Sequence, residues 1–201
     1  MIITSINVLA VRQACYINGN NKQDSICYLS VVKAITPINE FTHWRSEQFL
    51  NIDLASYTLF HHSFPRHFHD RYVIELVVKG VDKFYCSGKT YTAKYNELVF
   101  INPGEVHTGS TIFDTALHYY SVTPDKKNLQ QIAELLERPL PEDFYFQNTL
   151  VTQPELVKKI LLPFTTLQLP STDTLKNEEL FFELMNELLC NGSSEPNFAH
   201  T

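Results

Sequence analysis

Apolar residues in this chain come in short bursts through its middle and at helical spacing toward its end, so the pattern itself divides the molecule. Between residues 51 and 109 the apolar segments are brief and bounded by turn-forming residues: 52–60, 72–79, 82–87, 90–94 and 97–101. Segments this short and this regularly spaced predict an antiparallel barrel or sandwich, a mainly β fold. Gly80, the Ser87-Gly88-Lys89 corner and Asn96 stand where tight hairpins demand positive φ. A last strand is predicted over 116–122.

Beyond it the period changes. Thr123-Pro124-Asp125 reads as an N-cap followed by Pro at the first helical position, and Leu129, Ile132, Ala133 and Leu136 follow at helical spacing. Thr152-Gln153-Pro154-Glu155 announces a second helix carrying Leu156, Ile160 and Leu161, which Pro163 is expected to end or kink. A third runs from about 175 to 190 and stops at Asn191-Gly192. Its apolar set of Leu180, Phe181, Leu184, Met185, Leu188 and Leu189 is wider than one core-facing stripe needs. The excess predicts a symmetric homodimer with Leu180, Phe181, Leu184, Met185 and Leu188 at its contact; burial in the chain's own core is the plainer alternative.

The expected layout is an N-terminal arm or extra strands over 1–48, a barrel over 49–125, a helical dimerisation segment over 126–192 and a polar linker or tail over 193–201. In the arm, two apolar runs at 6–11 and 26–35 flank a polar, turn-rich stretch, compatible with a hairpin or a loose arm.

Composition narrows the function. With 44% hydrophobic residues the chain can build a real core, but its net charge is -6 and its 16 Lys and Arg are scattered. No basic stripe tracks phosphates, so this chain is not expected to contact DNA directly. Cys15, Cys27, Cys86 and Cys190 form no CxxC pair, which argues against a zinc ribbon or redox motif and for a reducing cytoplasm. The first apolar run is broken by Asn7 and Arg12 and falls short of the ~20 residues of a membrane span, so no export signal or membrane anchor is expected.

The chemistry concentrates in the predicted barrel, where five of the eight histidines lie between His61 and His107. His67-Phe68-His69 places two imidazoles at i and i+2, on one face of a strand, and the loop Asn102-Pro103-Gly104-Glu105-Val106-His107 can bring a third to them. This arrangement is similar to the two motifs of the cupin superfamily, in which a His-x-His and a later His ligate a metal inside a jelly-roll barrel. Metal-binding cupins add a carboxylate four or five residues after the second His, where this chain has Val73 and Ile74. Glu75 comes one residue later, with the parity of His67 and His69 if the strand is unbroken. No cofactor is therefore expected to be required, although His67, His69 and His107 can collect an adventitious transition metal.

Two longer stretches go further. Phe64-Pro65-Arg66-His67-Phe68-His69-Asp70-Arg71-Tyr72-Val73-Ile74 and Leu98-Val99-Phe100-Ile101-Asn102-Pro103-Gly104-Glu105-Val106-His107-Thr108-Gly109 resemble the two signature stretches of the AraC-type sensor domain. The resemblance extends from about residue 41 to 192. It implies a cupin-like double-stranded β-helix, a jelly-roll barrel binding a small-molecule effector, followed by about three helices that dimerise. It also implies that DNA is read only through a C-terminal helix-turn-helix domain, which this chain lacks, so a truncated product or a stand-alone sensor is expected. Glu75 departs from the family, which usually has a small residue there, and the first forty residues have no counterpart.

On this reading the effector cavity is bounded by His67, His69, Tyr72, Glu75, Phe84 and His107, with no catalytic residue. The same histidines would otherwise hold hairpins in place or ligate metal, and Glu75 would face outward after a bulge. The competing class is a metal-dependent small cupin enzyme, an isomerase or dioxygenase. The missing carboxylate and the helical tail favour the sensor.

Overall fold

The computed structural model describes residues 39–45, 47–112, 115–138, 140–167 and 173–192. The arm over 1–38 and the tail over 193–201 lie outside the described residues.

Ten strands form two antiparallel sheets among the described residues. In chain order they are β1 (Glu40–Arg45), β2 (Asp53–Leu59), β3 (Ser63–His67), β4 (Val73–Lys79), β5 (Val81–Cys86), β6 (Lys89–Lys94), β7 (Leu98–Ile101), β8 (His107–Thr111), β9 (Leu117–Thr123) and β10 (Leu150–Val151). One sheet runs β1-β2-β9-β4-β7-β10 and the other β3-β8-β5-β6. Among the described residues three α-helices follow or interleave: α1 (Lys126–Leu135), α2 (Pro154–Thr166) and α3 (Thr174–Gly192). The architecture is mainly β.

In the middle of the six-stranded sheet β4 is covered on both faces, which is why it reads as a nearly continuous apolar run instead of an alternation. Ile74 and Leu76 on β4, Leu98 and Phe100 on β7 and Val122 on β9 share one core with the helices. Val73 and Val77, Val99 and Ile101, and Leu117 and Tyr119 point the other way and meet Phe84, Cys86 and Ala93 of the second sheet. The barrel interior lies between these inward faces. On β5 burial alternates strictly, with Asp82, Phe84 and Cys86 inside, because only one face of the four-stranded sheet is covered.

The predicted turns are present. Ser87 and Gly88, both with positive φ, form the two-residue hairpin between β5 and β6, and Asn96 takes the same conformation. At Gly80 (φ 80°) a Cβ would sit 2.4 Å from the Ala116 carbonyl oxygen, so no side chain fits.

Four strands escape the hydrophobic pattern. β1 pairs with β2 along its whole length, so the sheet begins before the boundary expected at 49. β3 contains Pro65 and lies at a sheet edge, where a missing N–H is tolerated. β8 is polar and small, and β10 has two residues.

The helices depart from expectation in three ways. The N-cap of α1 is Asp125, not Thr123, which ends β9: Asp125 Oδ1 accepts from the Asn128 amide at 2.7 Å and Asn128 Oδ1 from the Asp125 amide at 3.0 Å, a reciprocal capping box. Pro163 does not end α2, which runs on to Thr166; the lost backbone hydrogen bond is outweighed by burial of Pro163 and Phe164 in the core. The third correction concerns α3. Leu180, Phe181, Leu184, Met185 and Leu188 are all buried within the single chain, so they are not available as a two-fold contact. The stripe is wide because it covers two neighbours, α2 along its length and the turn at Glu47–Phe49, where Phe49 stacks on Phe181 at 4.9 Å. No helix among the described residues is long and apolar enough to cross a membrane.

Candidate functional site

A cavity of about 350 Å³ occupies the barrel interior, lined from both sheets. His67, His69 and His107 stand together in its wall. Ring centroids are 4.2 Å apart for His67 and His107, 4.9 Å for His67 and His69, and 5.1 Å for His69 and His107. One nitrogen from each ring lies within 4.8 Å of the others. His69 is exposed, His67 half-buried and His107 buried, so the cluster runs from solvent inward.

The local route to this convergence differs from a simple i, i+2 pair. β3 ends at His67 after a register shift between Phe64 and His67, and His69 lies beyond the strand. Its ring still meets the others because the Gly104 amide donates to the His69 carbonyl at 2.8 Å, tying the loop before β8 to the chain after β3. That loop is a tight turn, with Pro103 and Gly104 (φ 81°) at its centre and the Glu105 amide donating to the Asn102 carbonyl at 3.1 Å.

Backbone carbonyls set the ring tautomers. His67 Nδ1 donates to the Pro65 carbonyl at 2.7 Å and His107 Nδ1 to the Glu105 carbonyl at 2.9 Å, leaving each Nε2 as the lone-pair nitrogen when the ring is neutral. Desolvation lowers the pKa of the buried His107 and of the partly covered His69 ring, and the neighbouring His67 lowers both further. The Glu105 carboxylate is engaged elsewhere: it accepts from the Asn102 amide at 2.7 Å, Ser87 Oγ at 2.8 Å and the Tyr145 hydroxyl at 2.5 Å. Burial pushes Glu105 up, but these donors outweigh it and hold it below the ordinary value.

Deeper in the cavity two acids face inward from opposite sheets, Glu75 on β4 and Asp82 on β5. Burial pushes Glu75 up to about 8, with the charge of Asp82 adding to the effect. Burial pushes Asp82 to about 6, against a lowering hydrogen bond of 3.3 Å from the Ser110 amide. Tyr57 and Tyr119 stack beside them at 4.9 Å, and the Tyr119 hydroxyl is raised by burial and then by Glu75. At the rim, Asp53 accepts from Arg45 at 2.5 Å, His43 at 3.0 Å and Arg71 at 3.3 Å. Burial pushes Asp53 up, and its partners, Arg45 foremost, more than reverse it.

Five of the six expected cavity residues, His67, His69, Glu75, Phe84 and His107, line this space. Tyr72 does not. It has the parity of Ile74 and Leu76, so it points to the helix side, buried, with its hydroxyl donating to the Phe144 carbonyl at 2.8 Å. Glu75 reaches the cavity from its own strand, not along a continuous one from His69. Tyr57, Asp82 and Tyr119 had no place in the sequence reading. Alternation in 81–86 carried the signal for Asp82, which shares a face with Phe84 and Cys86.

A family model described as the AraC-like ligand binding domain matches residues 49–185. The uncharacterized HTH-type transcriptional regulator YbfI of Bacillus subtilis (strain 168) is 28% identical over 155 residues, covering 75% of this chain and 54% of YbfI. The chain thus spans about half the length of that relative. Similar solved structures include a Cupin 2 conserved barrel domain protein from Salinispora arenicola, at 17% identity and a TM-score of 0.41 over 48% of this chain and 84% of that one. Another is a predicted oxalate decarboxylase from Thermotoga maritima, at 23% identity and a TM-score of 0.40 over 43% and 79%.

Proposed function

The chain belongs to the AraC-like ligand binding domain family, and from that premise we propose that it is the effector-sensing part of a cytoplasmic transcriptional regulator, not an enzyme, binding a small molecule in the barrel. The observation that carries the reading is the cavity itself, with polar side chains from both sheets converging on an otherwise apolar interior. β4 links that interior to the rest of the chain. Glu75 faces the cavity while Ile74 and Leu76 pack into the core shared with α2 and α3. A molecule that fits one arrangement of β4 better than another biases the helices by that difference in affinity. DNA is reached through a helix-turn-helix domain outside this sequence, and the homodimer proposed for reading paired half-sites uses surface other than the buried stripe of α3.

A thermal-shift screen of sugars, amino acids, aromatic acids and urea-like compounds tests the proposal, since binding to the native state raises Tm by mass action. One class should raise Tm in a concentration-dependent way. Failure of every class would overturn the reading.

The second reading, a metal-dependent enzyme, draws on the three converging imidazoles, two of which, His67 and His107, have Nε2 freed by a backbone acceptor on Nδ1. That donor set fits three ligands of a transition metal, and the metal would act as a Lewis acid toward a substrate in the cavity. The fit stops there, because no carboxylate joins the three rings among the described residues, and Glu105 in the loop before β8 is held by Asn102, Ser87 and Tyr145. Metal analysis of protein purified without an affinity tag discriminates: stoichiometric metal that resists chelators supports the enzyme, and its absence the sensor.

A further inference from the structure

We propose that the barrel takes a compact protonated amine, with its ammonium group set between the carboxyls of Glu75 and Asp82. The inference rests on the effector-binding reading and assigns that effector a chemical class.

The two acids enter one cavity from opposed sheets and neither is neutralised there. Among the described residues, no hydrogen bond or ion pair holds the Glu75 carboxyl. Asp82 accepts one, from the Ser110 amide to Oδ1, and Oδ2 takes none, although the residue is only 8% exposed. A carboxyl in this setting either keeps its proton or waits for a cation, because an isolated buried charge is far costlier than a paired one. Among the described residues, the guanidinium groups near the cavity are committed: Arg45 and Arg71 both converge on Asp53 at the rim.

A neutral hydroxyl can hydrogen-bond one carboxyl, but it does not relieve the repulsion between two. An ammonium group does both, with three donors for two acceptors and a charge that lets the acids ionise. Around them Phe84, Val99 and Leu117 supply an apolar wall for a carbon skeleton, and the Tyr57 and Tyr119 rings offer faces that attract a cation. The volume of about 350 Å³ suits a small organic molecule. The titratable groups facing Glu75 are Asp82, Tyr57 and Tyr119, and both tyrosines are shifted upward, so they stay neutral and do not stand in for the missing cation. As the ammonium arrives, the proton held at Glu75 leaves to solvent.

The test uses the full chain and matched probes: hexylamine, cyclohexylmethylamine and benzylamine, each against its isosteric alcohol. At least one amine should bind roughly tenfold or more tightly than its alcohol in titration calorimetry. Repeating the titration near neutral pH in buffers of different ionisation enthalpy should show proton release on binding. Glu75→Gln and Asp82→Asn should each weaken the amine roughly tenfold while leaving the alcohol unchanged, and Glu75→Gln should abolish the release. Circular dichroism confirms that both variants fold; should one unfold, the other carries the comparison. Alcohols binding as well as amines, or amine affinity unchanged in the folded variants, would overturn the proposal. Binding of a neutral sugar from the screen with no amine binding removes the amine but keeps the sensor, whereas no binding by any compound removes both.

Discussion

His67 on β3 and His107 on β8 are partners across one antiparallel pair, and their rings lie 4.2 Å apart in the cavity wall. The members of the cluster are held unequally. His107 is buried and donates to the Glu105 carbonyl, whereas the third member, His69, is exposed and fixed mainly through its backbone.

That inequality separates folding from binding. His107→Ala removes a buried donor and should destabilise the chain by about 1–3 kcal/mol, while His69→Ala should stay within about 0.5 kcal/mol. Both should abolish the weak, chelator-reversible uptake of Co²⁺ expected of three converging imidazoles. Urea denaturation and visible absorption of the cobalt form give the two readouts. Retained cobalt binding in the His69 variant would show that its ring takes no part in the cluster.

Glu75 makes stability depend on pH. Between the ordinary carboxylate value and about 8, the folded chain keeps a proton at Glu75 that the unfolded chain has released, so stability falls as pH rises through that window. The lowered values of His69 and His107 act with the opposite sign below about pH 6.5. The comparison is therefore with Glu75→Gln, which keeps those histidines. Wild-type stability minus that of the variant should decline from about pH 5 to about pH 8 and then level off. Parallel stability curves from urea titrations would rule out a proton held at Glu75.

Phe181 and Leu188 are fully buried in one copy of the chain. Phe181→Asp or Leu188→Asp should cost on the order of 4 kcal/mol or more and remove the cooperative thermal transition. A folded variant that merely changes its sedimentation would instead place these residues between two copies. Circular dichroism and sedimentation, run together, tell the outcomes apart.

Tyr72 is a packing and hydrogen-bonding residue on the helix side of its sheet. Tyr72→Phe should lose about 1–2 kcal/mol through the Phe144 carbonyl and leave the affinity of any barrel ligand unchanged. A ligand affinity that falls with the hydroxyl would put Tyr72 back in the cavity.

Local chemistry alone was enough for much of this protein. Strands β2, β4 to β7 and β9, the Ser87-Gly88 hairpin and the three helices follow from apolar period and turn residues, because those act over a few neighbouring positions. The two histidine motifs likewise pointed to one site before any contact was known. What tertiary structure decided is which side of each element meets which neighbour. One-residue parity sends Tyr72 to the helices and Glu75 to the cavity, and no local signal tells the two faces of a sheet apart when both are buried. The apolar width of α3 looked like a surface in want of a partner, and the chain supplied two of its own, α2 and the turn bearing Phe49. The opposition of Glu75 and Asp82 depends on two sheets closing over one interior, so it exists only once the barrel does.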